Sequence, residues 1–217
     1  MNGVIEAFRD AGGAFSALVE RDSARRAWQA PSAVDGYTVG GLVAHTLIAT
    51  RRLADVLDLD EPDAGLAVDL PAFYGANRVD TRADLGDGSL HAILRANGEE
   101  LAQSGHANVV GQVRTVVAEV AERLPHERPE RRVSVVRVRG GTTDLATYLR
   151  SRVVELVVHG DDVAASIGLA AFDASPLAWR VTNEALVELA VARSGAAPVM
   201  RSFARVERAP GDGLRVL

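Results

Sequence analysis

The sequence contains no cysteine. That excludes a disulfide framework, a thiolate metal site and a protein thiol as nucleophile, so any sulfur chemistry has to use a thiol brought from outside. No apolar run approaches the roughly 20 residues that span a bilayer. The N-terminus, Met1-Asn-Gly-Val-Ile-Glu6-Ala-Phe-Arg9-Asp10, is interrupted by charge too early for a secretory signal, and a cytoplasmic location is expected. Lysine is absent and the arginines are scattered, with only a modest cluster at Arg131-Arg132. Together with a net charge of −5, this argues against nucleic-acid or anionic-membrane binding, either of which calls for a concentrated basic face. The pairs Gly12-Gly13 and Gly140-Gly141 lack the flanking strand, Lys and Ser/Thr of a phosphate loop.

What is present is an ordinary globular composition. The 217 residues, 47% hydrophobic and 24% charged, suffice for one full core. Hydrophobic periodicity predicts a first helix over residues 2 to 27, a turn-rich connector, and a second helix from an N-cap at Thr38 to about Leu57. On that second helix Leu42, His45, Ala49, Leu53 and Val56 share a stripe, so His45 faces inward. Residues 58 to 88 are rich in Asp, Gly and Pro and read as a lid, with Leu70-Pro-Ala-Phe73-Tyr74 a packed insertion inside it. Helical periodicity returns over residues 89 to 124, with Gly105 a break. Arg132 to Arg139 reads as a short strand, after which Thr142 or Thr143 is expected to cap a helix closing near Gly168. A helix from Pro176 to about Arg193, a short one from Ala197, and a strand in the tail Gly213 to Leu217 complete the expectation. The fold class is mostly α, a four-helix antiparallel bundle with a minor β element. Residues 1–170 form the bundle, and residues 171–217 a helical extension packed on the same domain.

The segment Arg152-Val-Val-Glu155-Leu-Val-Val-His159-Gly-Asp-Asp162 carries the chemistry. Glu155 and His159 lie on one helix face, roughly 40° apart at 100° per residue. In surroundings this apolar they require each other, a hydrogen-bond network or a cation, because a buried charge without compensation is costly. Inward side chains on facing helices of a bundle commonly build metal sites, and His45 is the evident third ligand. Two imidazoles and a carboxylate favour zinc or another divalent first-row metal with a coordination position left open. The alternative is that Glu155 pairs with Arg152, His159 bonds Asp162, and His45 is a satisfied core histidine. Spacing alone does not decide between the two.

Two stretches resemble a known family. Trp28-Gln-Ala-Pro31-Ser-Ala-Val-Asp-Gly36-Tyr37-Thr38-Val39-Gly-Gly-Leu42-Val-Ala-His45, followed by Arg152-x-x-Glu155-x-x-x-His159-Gly160-x-Asp162, is similar to the two signatures of the mycothiol-dependent maleylpyruvate isomerase N-terminal family of the DinB-like superfamily. The sequence departs from it at Tyr37 and Asp161, where the family usually and often, respectively, has Trp; Asp161 is expected to put a charge beside the site. The resemblance implies a bundle in which His45, Glu155 and His159 hold a divalent metal, most often zinc, with mycothiol as thiol cosubstrate and a small-molecule electrophile as partner. Dimerisation is suggested by the resemblance alone. Trp28 and Tyr37 are candidates to wall a pocket, with packing the alternative for aromatics at helix ends. Asp162 is a candidate to orient His159. Arg152 is a candidate for an anionic substrate group, and His91, His106 and His126 read as surface residues.

The expected function is thus a metal- and thiol-dependent transferase or isomerase. It leans towards S-transfer, because the family's isomerase resembles a two-domain protein and a diacid would want more arginines at the metal than Arg152. Other readings are a non-catalytic DinB-like binding module, or a hydrolase using metal-bound hydroxide with Asp162 or Asp161 as base.

Overall fold

The computed structural model describes residues 1–75, 90–135 and 138–204. Helix α1 (Asn2–Val19) is amphipathic and buries Ile5, Phe8, Phe15 and Leu18. It stops earlier than its apolar pattern predicts. A break at Glu20 and Arg21 separates it from the short α2 (Asp22–Arg26). Gly12 sits in the middle of α1 because Val117 packs there, where an added Cβ would lie 2.7 Å from its Cγ1. Helix α3 (Val39–Asp58) starts where expected, with Thr38 Oγ1 accepting the Gly41 amide at 2.9 Å. Such a cap contributes about 1 kcal/mol.

The stretch read as a lid is fastened over its described part. Strand β1 (Leu66–Ala67) joins a three-stranded sheet, and α4 (Leu70–Tyr74), capped by Asp69, buries Leu70 and Phe73. Helices α5 (Leu90–Ala102) and α6 (His106–Arg123) are divided at Gly105, whose φ of 92° suits only glycine without strain. A 3-10 turn at Leu124–His126 leads into β2 (Arg132–Val135); of the rest of the predicted strand, residues 136 and 137 lie outside the described residues, and residues 138 to 140 turn back.

Thr142 and Thr143 do not cap the next helix. They belong to β3 (Gly141–Asp144), the central strand, antiparallel to β2 and parallel to β1. Asp144 is the cap, accepting the Thr147 amide at 2.8 Å, and α7 (Leu145–Ser166) follows. Helix α8 (Pro176–Ser194) begins with Ser175 as cap and Pro at its first position, and α9 (Ala196–Ala204) is short. The expected strand at Gly213–Leu217 lies outside the described residues.

The architecture is a mostly α, DinB-like bundle. Helices α1, α3, α6 and α7 pack in a closed ring, α5 lies along α3, and α8 covers α1 and α7. One core runs through all four, from Phe8 and Phe15 through Leu42, Leu47 and Val113 to Leu149, Leu156 and Val163. No helix of the described residues is long and apolar enough to cross a membrane. The bundle leaves α3 and α7 side by side, which is the arrangement the candidate site needs.

Candidate metal centre

His45 sits on α3, and Glu155 and His159 on α7, all three partly buried. One ligand atom from each lies within 4.8 Å of the others. The His45 and His159 rings meet edge to face with centroids 5.1 Å apart. His159 Nε2 is 3.3 Å from Glu155 Oε2, and its Nδ1 is 3.1 Å from Asp162 Oδ2. The imidazole is therefore held between two carboxylates, each about one turn from it on the same helix.

The electrostatics follow from that placement. Burial alone would push the His159 imidazole down, but the hydrogen bonds to Asp162 and Glu155 and the charges behind them reverse this and raise it to about 9. Burial would likewise raise the Glu155 carboxyl; the His159 hydrogen bond, with Arg152, outweighs it and holds Glu155 well below the usual carboxylate range. The tyrosine before the Thr38 cap stands beside His45, their ring centroids 5.6 Å apart. Burial pushes the Tyr37 phenol up to about 12 against the pull of Arg95.

Several expected roles change. Arg152 does not face the ligands as a substrate contact, nor does it form an ion pair with Glu155 among the described residues. It is 5% exposed, donates from Nη1 to the Ala49 carbonyl of α3 at 2.9 Å and from Nε to Ser151 Oγ at 3.1 Å, and its guanidinium stacks near the rings of Tyr148 and Phe73. Its contribution is to tie α7 to α3 one turn beyond His45. Asp161 does not charge the site either. Its Oδ1 accepts the Phe172 amide at 2.9 Å and so ties the α7–α8 connection back to α7. Trp28 is a packing residue: its Nε1 donates to the Ala102 carbonyl, and its indole fills the space that Gly40 leaves open. His106 is no free surface histidine, since it meets the Trp28 ring edge-on and its Nε2 lies 2.9 Å from the Val19 carbonyl. His91 and His126 are exposed as expected.

Three contributors have no signature in the sequence pattern. Tyr74 on α4 donates to Glu155 Oε1 at 3.3 Å and to the Ser151 carbonyl at 3.0 Å, so the carboxylate keeps Oε2 towards the imidazoles. Gly98 on α5 brings that helix against the His45 backbone; an added Cβ would lie 2.7 Å from the Gly41 carbonyl and 3.2 Å from His45 Cβ. Glu99 next to it accepts the Thr38 amide at 2.7 Å and the Thr38 hydroxyl, bracing the start of α3. In α7 itself, Gly160 is required by Phe172, whose ring would lie 2.7 Å from an added Cβ.

The donor set suits a cation. Two imidazoles and one carboxylate at such mutual distances, with a carboxylate behind one imidazole and a phenol behind the carboxylate, is the pattern of a three-ligand divalent centre and its outer partners. Bundle and donor set together place the chain among DinB-like helical proteins with a candidate two-histidine, one-glutamate centre. More narrowly, it belongs to the mycothiol maleylpyruvate isomerase N-terminal domain family, whose model matches residues 8–164. No curated protein matches the chain. No solved structure does either.

Proposed function

We propose that this protein is a metal-dependent enzyme that takes a low-molecular-weight thiol, mycothiol, as cosubstrate and joins it to, or isomerises through it, a small electrophile. The observation that carries the reading is the convergence of His45, Glu155 and His159 from two helices to within 4.8 Å. These residues would hold a divalent cation, with zinc the best match to the donor set. When bound, such a cation lowers the pKa of a thiol ligand, which is the activation a chain without cysteine has to obtain from outside.

The chain's own residues supply orientation. Asp162 holds Nδ1 of His159 and thereby directs Nε2 towards Glu155 and the ligand position. Tyr74 occupies Oε1 of Glu155 and leaves Oε2 as the available donor. Arg152 and Gly98 set the spacing of α7 and α5 against α3. Tyr37 presents a phenol that stays protonated through the neutral range. The reading favours S-transfer over isomerisation because Arg152, expected to meet an anionic substrate, is spent inside the core.

Metal analysis of the purified protein beside His45→Ala tests the centre, with near-stoichiometric zinc expected in the first and its loss in the second. Adduct formation from mycothiol and 1-chloro-2,4-dinitrobenzene tests the chemistry. A rate no higher than the uncatalysed one with the metal loaded, across a panel of electrophiles, overturns the enzymatic reading.

A further inference from the structure

Leu70 and Leu189 are fully buried, yet neither belongs to the core that runs through the bundle. With Val154 of α7 and Ala185 of α8 they form a second, smaller cluster, against which Tyr74 and Val158 pack. The socket of Leu70 thus has one wall from α7 and one from α8. Helix α8 lies beyond residues 8–164, the stretch that the family model matches.

Helix α4 has only five residues, and isolated helices shorter than about 12 residues are marginal in water, so packing has to hold it in place. The strand before it adds little. Leu66 and Ala67 are exposed, and the segment is tied to the sheet by the Leu66 amide donating to the Gly140 carbonyl at 2.9 Å and the Val68 amide donating to the Thr142 carbonyl at 2.8 Å. What remains is Phe73, edge-on to the Tyr148 ring, and Leu70 in its socket. Leu70 and Tyr74, four residues apart, share one face of α4. From that face Tyr74 donates to the Ser151 carbonyl at 3.0 Å and to Glu155 Oε1 at 3.3 Å. The second distance is already long for a hydroxyl donor, so a small displacement of α4 breaks it.

We infer that α8 is a positioning element of the candidate metal centre: Leu189 and Ala185 seat Leu70, and Leu70 sets, through α4, where the Tyr74 hydroxyl meets Glu155. This rests on the triad being the metal centre. Leu189 is a positioning residue that acts through Tyr74.

The test is a double-mutant cycle on zinc affinity, measured by competition with a metallochromic chelator, with wild type, Leu189→Ala, Tyr74→Phe and the pair. Val181→Ala, on the same helix but packed in the main core, controls for plain loss of stability, and Leu189→Val replaces Leu189→Ala if the latter does not fold. Each single variant of the cycle is expected to weaken zinc about tenfold, as loss of a ligand's outer partner does, and the pair no more than about tenfold, with Val181→Ala unchanged. A loss of about a hundredfold in the pair, an affinity untouched by either single variant, or an equal loss in Val181→Ala overturns the inference. Failure of the metal reading is read separately, from the Tyr74 ring signal of chelated, tyrosine-labelled protein, assigned among the three tyrosines by its disappearance in Tyr74→Phe. In a protein that takes up no zinc, a shift of that signal in Leu189→Ala but not in Val181→Ala keeps the link from α8 to Tyr74, and an unmoved signal overturns it.

Discussion

Stripping the cation by chelation and titrating it back at several pH values tests the centre through its protons. In the cation-free protein His159 is held between Glu155 and Asp162 and is raised to about 9. A metal ligand has to be deprotonated, so binding at pH 7.5 must expel the proton that most His159 rings then carry. The work of removing it is about 2 kcal/mol at that pH and fades out as pH rises past about 9. Calorimetry in buffers of different ionisation enthalpy counts the protons directly, and about one per cation is expected from His159 at pH 7.5. The logarithm of the apparent affinity should climb by about one per pH unit up to about 9 and flatten above it. Uptake without proton release at pH 7.5, or affinity independent of pH between 6 and 9, would refute the arrangement of His159 between two carboxylates.

The same pair controls the stability of the chelated protein. His159 is raised above its unfolded value, so its stabilising contribution is complete below about pH 6.5 and is lost as pH rises through about 9. Glu155 is depressed, so its contribution is present above about pH 4.3 and is lost as acid titrates it. Thermal melts of chelated protein should therefore fall between pH 6.5 and 9, and His159→Gln should remove that fall. Tyr74→Phe deletes the donor to Glu155 Oε1 and should weaken metal binding about tenfold at unchanged fold, measured by competition with a metallochromic chelator. Gly98→Ala drives a methyl against the Gly41 carbonyl and His45 Cβ, moving α5 off α3; metal content should drop more than helicity by circular dichroism. Gly160→Ala meets the Phe172 ring and should cost about 1 to 3 kcal/mol in a denaturant melt.

The long helices and the triad were legible because both depend on local periodicity. The stripe through Leu42, His45, Ala49 and Leu53 and the spacing of Glu155 and His159 fix which way those side chains point once the helices exist. The start of α7 was misread because Thr142 and Thr143 look like caps until β2 and β1 pair with them, and a two-residue strand such as β1 carries no periodicity. Arg152 was misplaced for a related reason. Its turn-neighbour Glu155 is visible in the sequence, whereas the Ala49 carbonyl and the Phe73 and Tyr148 rings come together only in the packed bundle. Tyr74 and Gly98 act through residues distant in sequence, so no spacing rule connects them to the site.

The candidate ligands come from only two helices, and His45 and Glu155 are widely separated along the chain. A cation shared between them would act as a removable cross-link, closing a long loop that in the denatured chain is free to open. Loading state would then govern how often α3 and α7 part, and with it the lifetime of the folded protein against proteases, even in the absence of any substrate.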